Sequence, residues 1–391
     1  MDGNKKTIFV ITSRFPFPLE KGDKLRAYHQ IKVLSQQYKI ILCSVSAVKI
    51  NDEWKLELNK YCDQIHVFRL NKLLIWWNTC KMILSKKPFQ IGYFYQNWIQ
   101  KKVNVIIETE SPDFIYCQLI RVAEYVKNNH TIPKTLDYMD ALSAGMVKRF
   151  QISTNIFKYV IRLEGLRLKA YENKIFDYFN NHTIISDQDR KLISHPDNSQ
   201  IEVIPNGVDD YFTEYEGSKV KREYDLVFVG NLSYPPNVES CNFIVNEILP
   251  YFKLQGKNIT VLLAGASPSK KVLKLSESNN VTITGWVDDI RISYCQGKVF
   301  VAPLFIGTGL QNKLLEAMSL KIPCVTTSLV NNALGAENNK HLLVADDLKT
   351  FYDSINLLLT NKDQVKSITD QAKEFIQTNY NWKCTTEKIT F

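Results

Sequence analysis

The chain has 391 residues, 45% hydrophobic and 23% charged, with a formal net charge of +9. That length is too great for one ordinary core and points to two domains of roughly 200 residues each, while the composition is ordinary for a soluble globular protein. Lysines and arginines are scattered and no recognised nucleic-acid motif occurs, so the positive charge reads as a solvated surface rather than nucleic-acid binding; it also suits phosphorylated substrates or an anionic membrane surface.

The N-terminus, "MDGNKKTIFVITS", enters a short strand directly. Its apolar run is too short for a signal peptide, and no window reaches transmembrane length, so a cytoplasmic chain is expected. The eight cysteines include no CxxC and no metal-ligand spacing, which fits free thiols in a reducing compartment. No metal site and no bound cofactor are expected.

Strands are predicted at 7–13, 38–45, 64–68, 113–117, 134–139 and 182–186 in the first half. In the second half they fall at 224–230, 258–265, 281–285, 298–303 and 322–327. Many are continuous apolar runs, as expected for parallel strands covered by helices on both faces. Alternation of strands and helices along the whole chain reads as α/β, with two doubly wound parallel-sheet domains. "IEVIPNGVDDYF" (201–212) closes the first series, and the polar stretch 213–224 looks like a linker before a second series begins at Asp225. The dinucleotide fingerprint GxGxxG, the phosphate loop GxxxxGK[ST], HExxH and GxSxG are all absent.

The segment "RLNKLLIWWNTCKMILSKKPFQIGYFYQNW" (69–98) interleaves basic and aromatic residues. It fits either a helix packed in the first domain or a peripheral contact with a membrane interface. In "LDYMDALS" (136–143), Asp137 and Asp140 are three apart at a strand end. Asp140 fits a polar group orienting donor or acceptor, or an N-cap for the following helix.

The most informative stretch is "PLFIGTGLQNKLLEAMSLKIPCVTT" (303–327). Pro303 ends a buried strand, and Gly307 and Gly309 permit a close backbone approach to a ligand. Leu310, Leu314, Ala317 and Met318 are spaced for a helix face packed on the sheet. Lys313 falls in the first turn, where a cation opposes the helix dipole unless an anion is bound there, and Glu316 follows three residues later. A diphosphate at the helix N-terminus with sugar hydroxyls one turn on fits this pair; so does an exposed i,i+3 ion pair.

At these residues the chain resembles the retaining glycosyltransferases of GT-B architecture in glycosyltransferase family four. "GTGLQNKLLEAMSLKIPCVTTS" is similar to their donor-site segment. "FPLEKGDKLRAYHQIKVLSQQYKI" (17–40), "IPNGVD" (204–209), "VFVGNLSYPPNVES" (227–240), "VTITGWVDDIRISY" (281–294) and "NYNWKCTTEKI" (379–389) resemble other family segments in the same order. The resemblance covers nearly the whole chain. It implies two Rossmann-like domains facing a central cleft: residues 1–212 for the acceptor, linker 213–224, residues 225–378 for the donor, and 379–391 crossing back to the first domain. It implies that Lys313 binds the donor diphosphate and Glu316 the ribose or sugar. Gly307, Thr308 and Gly309 would lie against sugar and phosphates, Gly230 and Asn231 in the donor loop, and Gly285, Trp286 and Val287 around the base. Gly22 and Asp23 would line the cleft from the first domain with Asp140; Gly22 also fits a plain turn. The donor would be a UDP- or GDP-linked sugar, the acceptor a glycan or a lipid-linked hydroxyl, and the reaction a metal-independent hexosyl transfer.

The chain departs from the family pattern in three places. Thr308 stands where the first glutamate of a pair is expected, Asn231 and Pro236 where an arginine and a lysine are expected, and Gln311 in place of an arginine. Arg14, Lys21, Lys24 and Arg26 either contribute charge across the cleft or are solvated surface charges. A degenerate nucleotide-sugar-binding protein of the same fold is the alternative to an enzyme. An epimerase or a phosphorylase would need acid–base pairs or a Schiff-base lysine in other motifs, which the sequence lacks.

Overall fold

The structure, a computed structural model, describes residues 5–152, 156–306 and 309–391. The chain divides into two compact units: Met1–Pro205 with Trp382–Phe391, and Asn206–Asn381.

In the first unit the described residues form seven strands: β1 (Thr7–Thr12), β2 (Lys39–Ser46), β3 (Gln64–Arg69), β4 (Phe114–Gln118), β5 (Lys134–Asp137), β6 (Asn181–Ile184) and β7 (Glu202–Val203). All pair in parallel, in the order β3-β2-β1-β4-β5-β6-β7. β1 shows why its run is apolar throughout. Phe9 and Ile11 enter the core on one face, Ile8 and Val10 that on the other, and all four are at most 1% exposed. Successive side chains of a strand point to opposite faces, so a strand covered on both sides has no polar position to spare. Each such side chain contributes about 1.5–3 kcal/mol of burial.

The second unit repeats the plan with β8 (Tyr224–Val229), β9 (Val261–Ala264), β10 (Val281–Gly285), β11 (Gly297–Ala302), β12 (Cys324–Thr326) and β13 (Leu343–Val344). Again all are parallel, in the order β10-β9-β8-β11-β12-β13. Leu226 and Phe228 face one core, Val227 and Val229 the other. The eleven strands expected from the sequence are all present, shifted by a few residues at most. Two were not anticipated, β7 and β13, each of two residues and too short to leave a periodic pattern.

In each sheet the strand order reverses once, between β1 and β4 in the first unit and between β8 and β11 in the second. Connections leave to opposite sides there, which opens a crevice at the carboxyl ends of the strands. The last ten residues complete the first unit. Trp382 stacks on His29 at 4.8 Å, Phe391 packs on Tyr38 and Phe114, and the Thr135 hydroxyl donates to the Thr390 carbonyl at 2.7 Å.

Candidate active site

In the second unit the reversal point is built by glycines. Gly230 follows β8, Gly265 follows β9 and Gly285 ends β10. The Gly265 N–H donates to the Gly285 carbonyl at 3.1 Å, and the Gly230 N–H to the Ala264 carbonyl at 3.0 Å. Gly265 has φ +136°, and a Cβ there would stand 1.9 Å from the Gly230 carbonyl oxygen. No other residue fits at Gly265, on both steric and backbone grounds. Gly230 in turn lies under the Lys313 ammonium: a Cβ on it would come within 3.2 Å of Lys313 Nζ.

Lys313 is the second residue of the helix Asn312–Ser319, whose first turn holds no acid and whose N-cap Gln311 makes no side-chain cap. The helix buries Leu314, Leu315, Ala317 and Met318, which fixes the direction of Lys313 and Glu316. Lys313 Nζ donates to the Asn237 side-chain oxygen and lies 4.9 Å from the centre of the Phe228 ring. Among the described residues it makes no ion pair. Although part of its surface stays accessible, Lys313 sits deep, and loss of water lowers its pKa to about 8, against the opposing pull of Cys241 and Glu316. A buried ammonium held by one amide and one ring face is a cation awaiting an anion.

Glu316 accepts from the Tyr294 hydroxyl at 2.7 Å. Burial raises its pKa, while Tyr294 and then Lys313 hold it down. Beside it, Asn206 donates to the Asn312 side-chain oxygen at 3.1 Å. The loop after β11 is pinned from three sides: Ser240 donates to the Pro303 carbonyl, Thr327 to that of Leu304, and Thr326 to that of Ala302.

Trp286 is 71% exposed next to Gly285, which has φ +71°. The turn that follows is clamped: Arg291 pairs with Asp289 at 2.7 Å, and its guanidinium lies 3.4 Å from the centre of the Tyr211 ring and 4.3 Å from that of Tyr215. Val287 is half-buried. A free indole face beside a rigid turn can stack a base. Asn231 is exposed, and its side chain accepts from the Ser233 N–H and hydroxyl at 3.0 and 2.7 Å, so it closes its own turn. Gly309 has φ +79°. Gly307 and Thr308 lie outside the described residues.

In the first unit the residues singled out gather at the other reversal point. Gly22 opens the helix Gly22–Leu34, with open space where a Cβ would be. Asp23 is 8% exposed and pairs with Arg14 at 2.5 Å, and its carbonyl accepts from Gln118 at 2.9 Å. Arg26 is no surface charge. It is fully buried, forks onto Asp137 at 2.6 and 3.1 Å, and donates to the Ile204 carbonyl. Removing either partner of such a pair costs roughly 3–5 kcal/mol.

Asp140 is exposed, and its carboxylate makes no hydrogen bond among the described residues. It does not cap the helix Leu142–Ile152. That work falls to buried Glu172, which accepts from the Ser143 N–H at 2.9 Å and from the Ser143 hydroxyl at 2.5 Å. Dense protein around Asp140, with Asp189 nearby, pushes its pKa up to about 6 while Arg121 opposes; solvent contact tempers that shift. Asp140 is therefore free to meet a ligand.

Four contributors escaped the sequence reading. Gly265 carried a signal, being the third strand-final glycine beside Gly230 and Gly285. Asn237, Tyr294 and Arg121 reach their places from other elements, and nothing in their local sequence marks them. Among the described residues no three potential metal ligands converge.

Residues 223–361 match the family described as glycosyl transferases group 1. The chain belongs to that family. A Klebsiella pneumoniae protein described as an "uncharacterized 44.6 kDa protein in cps region" is 23% identical over 400 residues, covering 96% of this chain and 97% of its own. Solved glycosyltransferase structures share the fold. The Rickettsia africae glycosyltransferase superposes with TM-score 0.68 at 14% identity over 99% of this chain and 97% of its own. Anabaena HepE, solved with UDP and glucose, has TM-score 0.66 at 13% identity over 98% of both chains. The glycosyltransferase described here thus has GT-B architecture, with two Rossmann-like α/β units.

Proposed function

We propose that this glycosyltransferase is a retaining hexosyltransferase, moving a sugar from a UDP- or GDP-linked donor to a hydroxyl of a glycan or lipid-linked acceptor without a metal. The observation that carries the reading is Lys313: an ammonium without a carboxylate partner among the described residues, at a helix N-terminus and over a glycine, at the reversal point of the sheet. A donor diphosphate lying on Gly230 would be held by Lys313 and by the free N–H groups of the helix. Charge grows on that diphosphate as the sugar–oxygen bond breaks, so the same groups stabilise the transition state more than the ground state. Glu316, oriented by Tyr294, would accept hydrogen bonds from ribose or sugar hydroxyls. Gly307, Thr308 and Gly309 would complete the cradle, and Gly285, Trp286 and Val287 would hold the base. Asp140, Gly22 and Asp23 are assigned to the acceptor side. The leaving phosphate oxygen can take the acceptor's proton, so no strong protein base is required.

HepE has been solved with UDP and glucose, and S. aureus TarM with UDP and a glycan, which supports a UDP-linked donor. The relative in a cps region supports a role in surface polysaccharide assembly. Binding without turnover is the second reading. It is favoured by Asn231, which closes its own turn rather than reaching for the phosphates.

Thermal stabilisation by a panel of UDP-, GDP-, ADP- and dTDP-sugars tests the site. One donor at a hundred times its Kd stabilises the fold by about 2.7 kcal/mol. The Lys313→Ala variant should fold and lose that gain. Equal stabilisation of Lys313→Ala would remove the diphosphate from this position.

A further inference from the structure

The reversal point of the first unit holds a cavity of about 560 Å³. It lies at the carboxyl ends of β1 and β2, beside the turn that follows β4. Four cations line it, Arg14, Lys21, Lys24 and Arg121, against one acid, Glu20. Two of the four are partly neutralised: Arg14 by Asp23 at 2.5 Å, and Lys24 by Glu20 at 3.6 Å. Arg121 is not. Its Nε donates to the neutral Gln90 side chain at 2.8 Å, its guanidinium lies 5.8 Å from the centre of the Phe94 ring, and it makes no ion pair among the described residues. Burial and the like charge of Arg14 both disfavour its cation, yet arginine does not deprotonate in proteins, so the charge stays.

A second observation points the same way. Ser13, the residue after β1, is 1% exposed, lines this cavity, and its hydroxyl has no hydrogen-bond partner. Buried hydroxyls without partners are rare, and one on a cavity wall is satisfied by whatever fills it. The opposite wall is apolar and includes Trp54, which also faces the Lys24 ammonium at 5.6 Å.

We propose that this cavity is an anion subsite for the acceptor, which carries a phosphate or diphosphate ester held by Arg121, Arg14 and the Ser13 hydroxyl, with its attached apolar or sugar moiety on the Trp54 wall. The inference rests on the acceptor-side reading given above and adds the chemical class of the acceptor. Asp140 and Arg121 interact electrostatically, so a phosphate on Arg121 would sit near the carboxylate assigned to the acceptor hydroxyl. A guanidinium fork grips phosphate oxygens in pairs, and the apolar wall excludes the water that would otherwise screen the contact.

The probe is octyl phosphate, titrated calorimetrically into the full chain, with inorganic phosphate and octyl glucoside as parallel arms. Octyl phosphate should bind, and Arg121→Gln should weaken it at least tenfold while leaving nucleotide diphosphate binding unchanged. Lys313→Ala should do the reverse. Arg121→Lys, which keeps the charge but not the fork, should fall between and guards against a folding defect. Three results would overturn the proposal: octyl phosphate binding unaffected by Arg121→Gln, inorganic phosphate binding as tightly as octyl phosphate, or nucleotide diphosphate competing for the same cavity. Should Lys313→Ala leave nucleotide binding intact, the donor assignment fails while the octyl phosphate arm still decides this one.

Discussion

Lys313 is where the account becomes quantitative. Its free-state pKa of about 8 lies below the ordinary lysine value of 10.5, because burial disfavours the charge more than Glu316 and Cys241 restore it. A bound diphosphate reverses that balance and raises the pKa in the complex. Below about pH 8 the ammonium is already present and affinity is flat with pH. Above it, binding must take up a proton, and log affinity falls by up to one unit per pH unit. In the ligand-free protein the sign is opposite: the unfolded chain holds this proton more tightly, so stability rises with pH from about 8 towards 10.5. Calorimetry of nucleotide diphosphate binding at pH 8.5, in two buffers of different ionisation enthalpy, should show proton uptake that disappears in Lys313→Met. Zero uptake in the wild type would mean that Lys313 does not meet the diphosphate. The sequence made Lys313 legible because a cation in an uncapped first turn is locally unfavourable. It could not show Asn237 or Tyr294, which come from 76 and 22 residues upstream of their partners.

At the scale of elements, the helix Lys72–Lys81 breaks the pattern of the rest. None of its residues is buried, with Leu73, Trp76 and Trp77 exposed by 79%, 67% and 54%. Between Leu70 and Ile107 the chain has six lysines and no acid. Arg167, from the helix Lys158–Phe176, donates to the carbonyls of Met82 and Ile83 and ties a second surface with exposed Phe157, Tyr159 and Leu166 to the first. The sequence left this segment open between a packed helix and a membrane contact; the exposure favours contact with an anionic bilayer. No helix among the described residues is long and apolar enough to cross a membrane. Each lysine near such a surface contributes about 1 kcal/mol, and the indoles sit at headgroup level. The chain should sediment with phosphatidylglycerol vesicles and not with phosphatidylcholine ones, less so as salt rises. Trp76→Ser with Trp77→Ser should cut the bound fraction severalfold. Binding that ignores lipid charge or those tryptophans would refute the contact.

For the whole molecule, the two-unit plan was legible because parallel strands buried on both faces leave continuous apolar runs, such as those of β1 and β8. The reversal points were not, since strand order is set by which edges pair and leaves no local mark. Asp137 shows the same limit: one acid in "LDYMDALS" is buried on Arg26 and the other is free, and only the fold separates them. Both units put their unsatisfied cations at their reversal points, Lys313 in one and Arg121 in the other, as donor and acceptor chemistry would each require. The claim that joins them is turnover. The decisive measurement follows the stabilising donor with the wild-type chain, reading release of nucleotide diphosphate and, by proton NMR, the first anomer of the freed sugar. The account predicts slow release with the donor's anomeric configuration kept, and a loss of roughly 10²–10³ in Lys313→Ala. Inverted configuration, or a donor that binds and is never cleaved even with lipid extracts as acceptor, would contradict it.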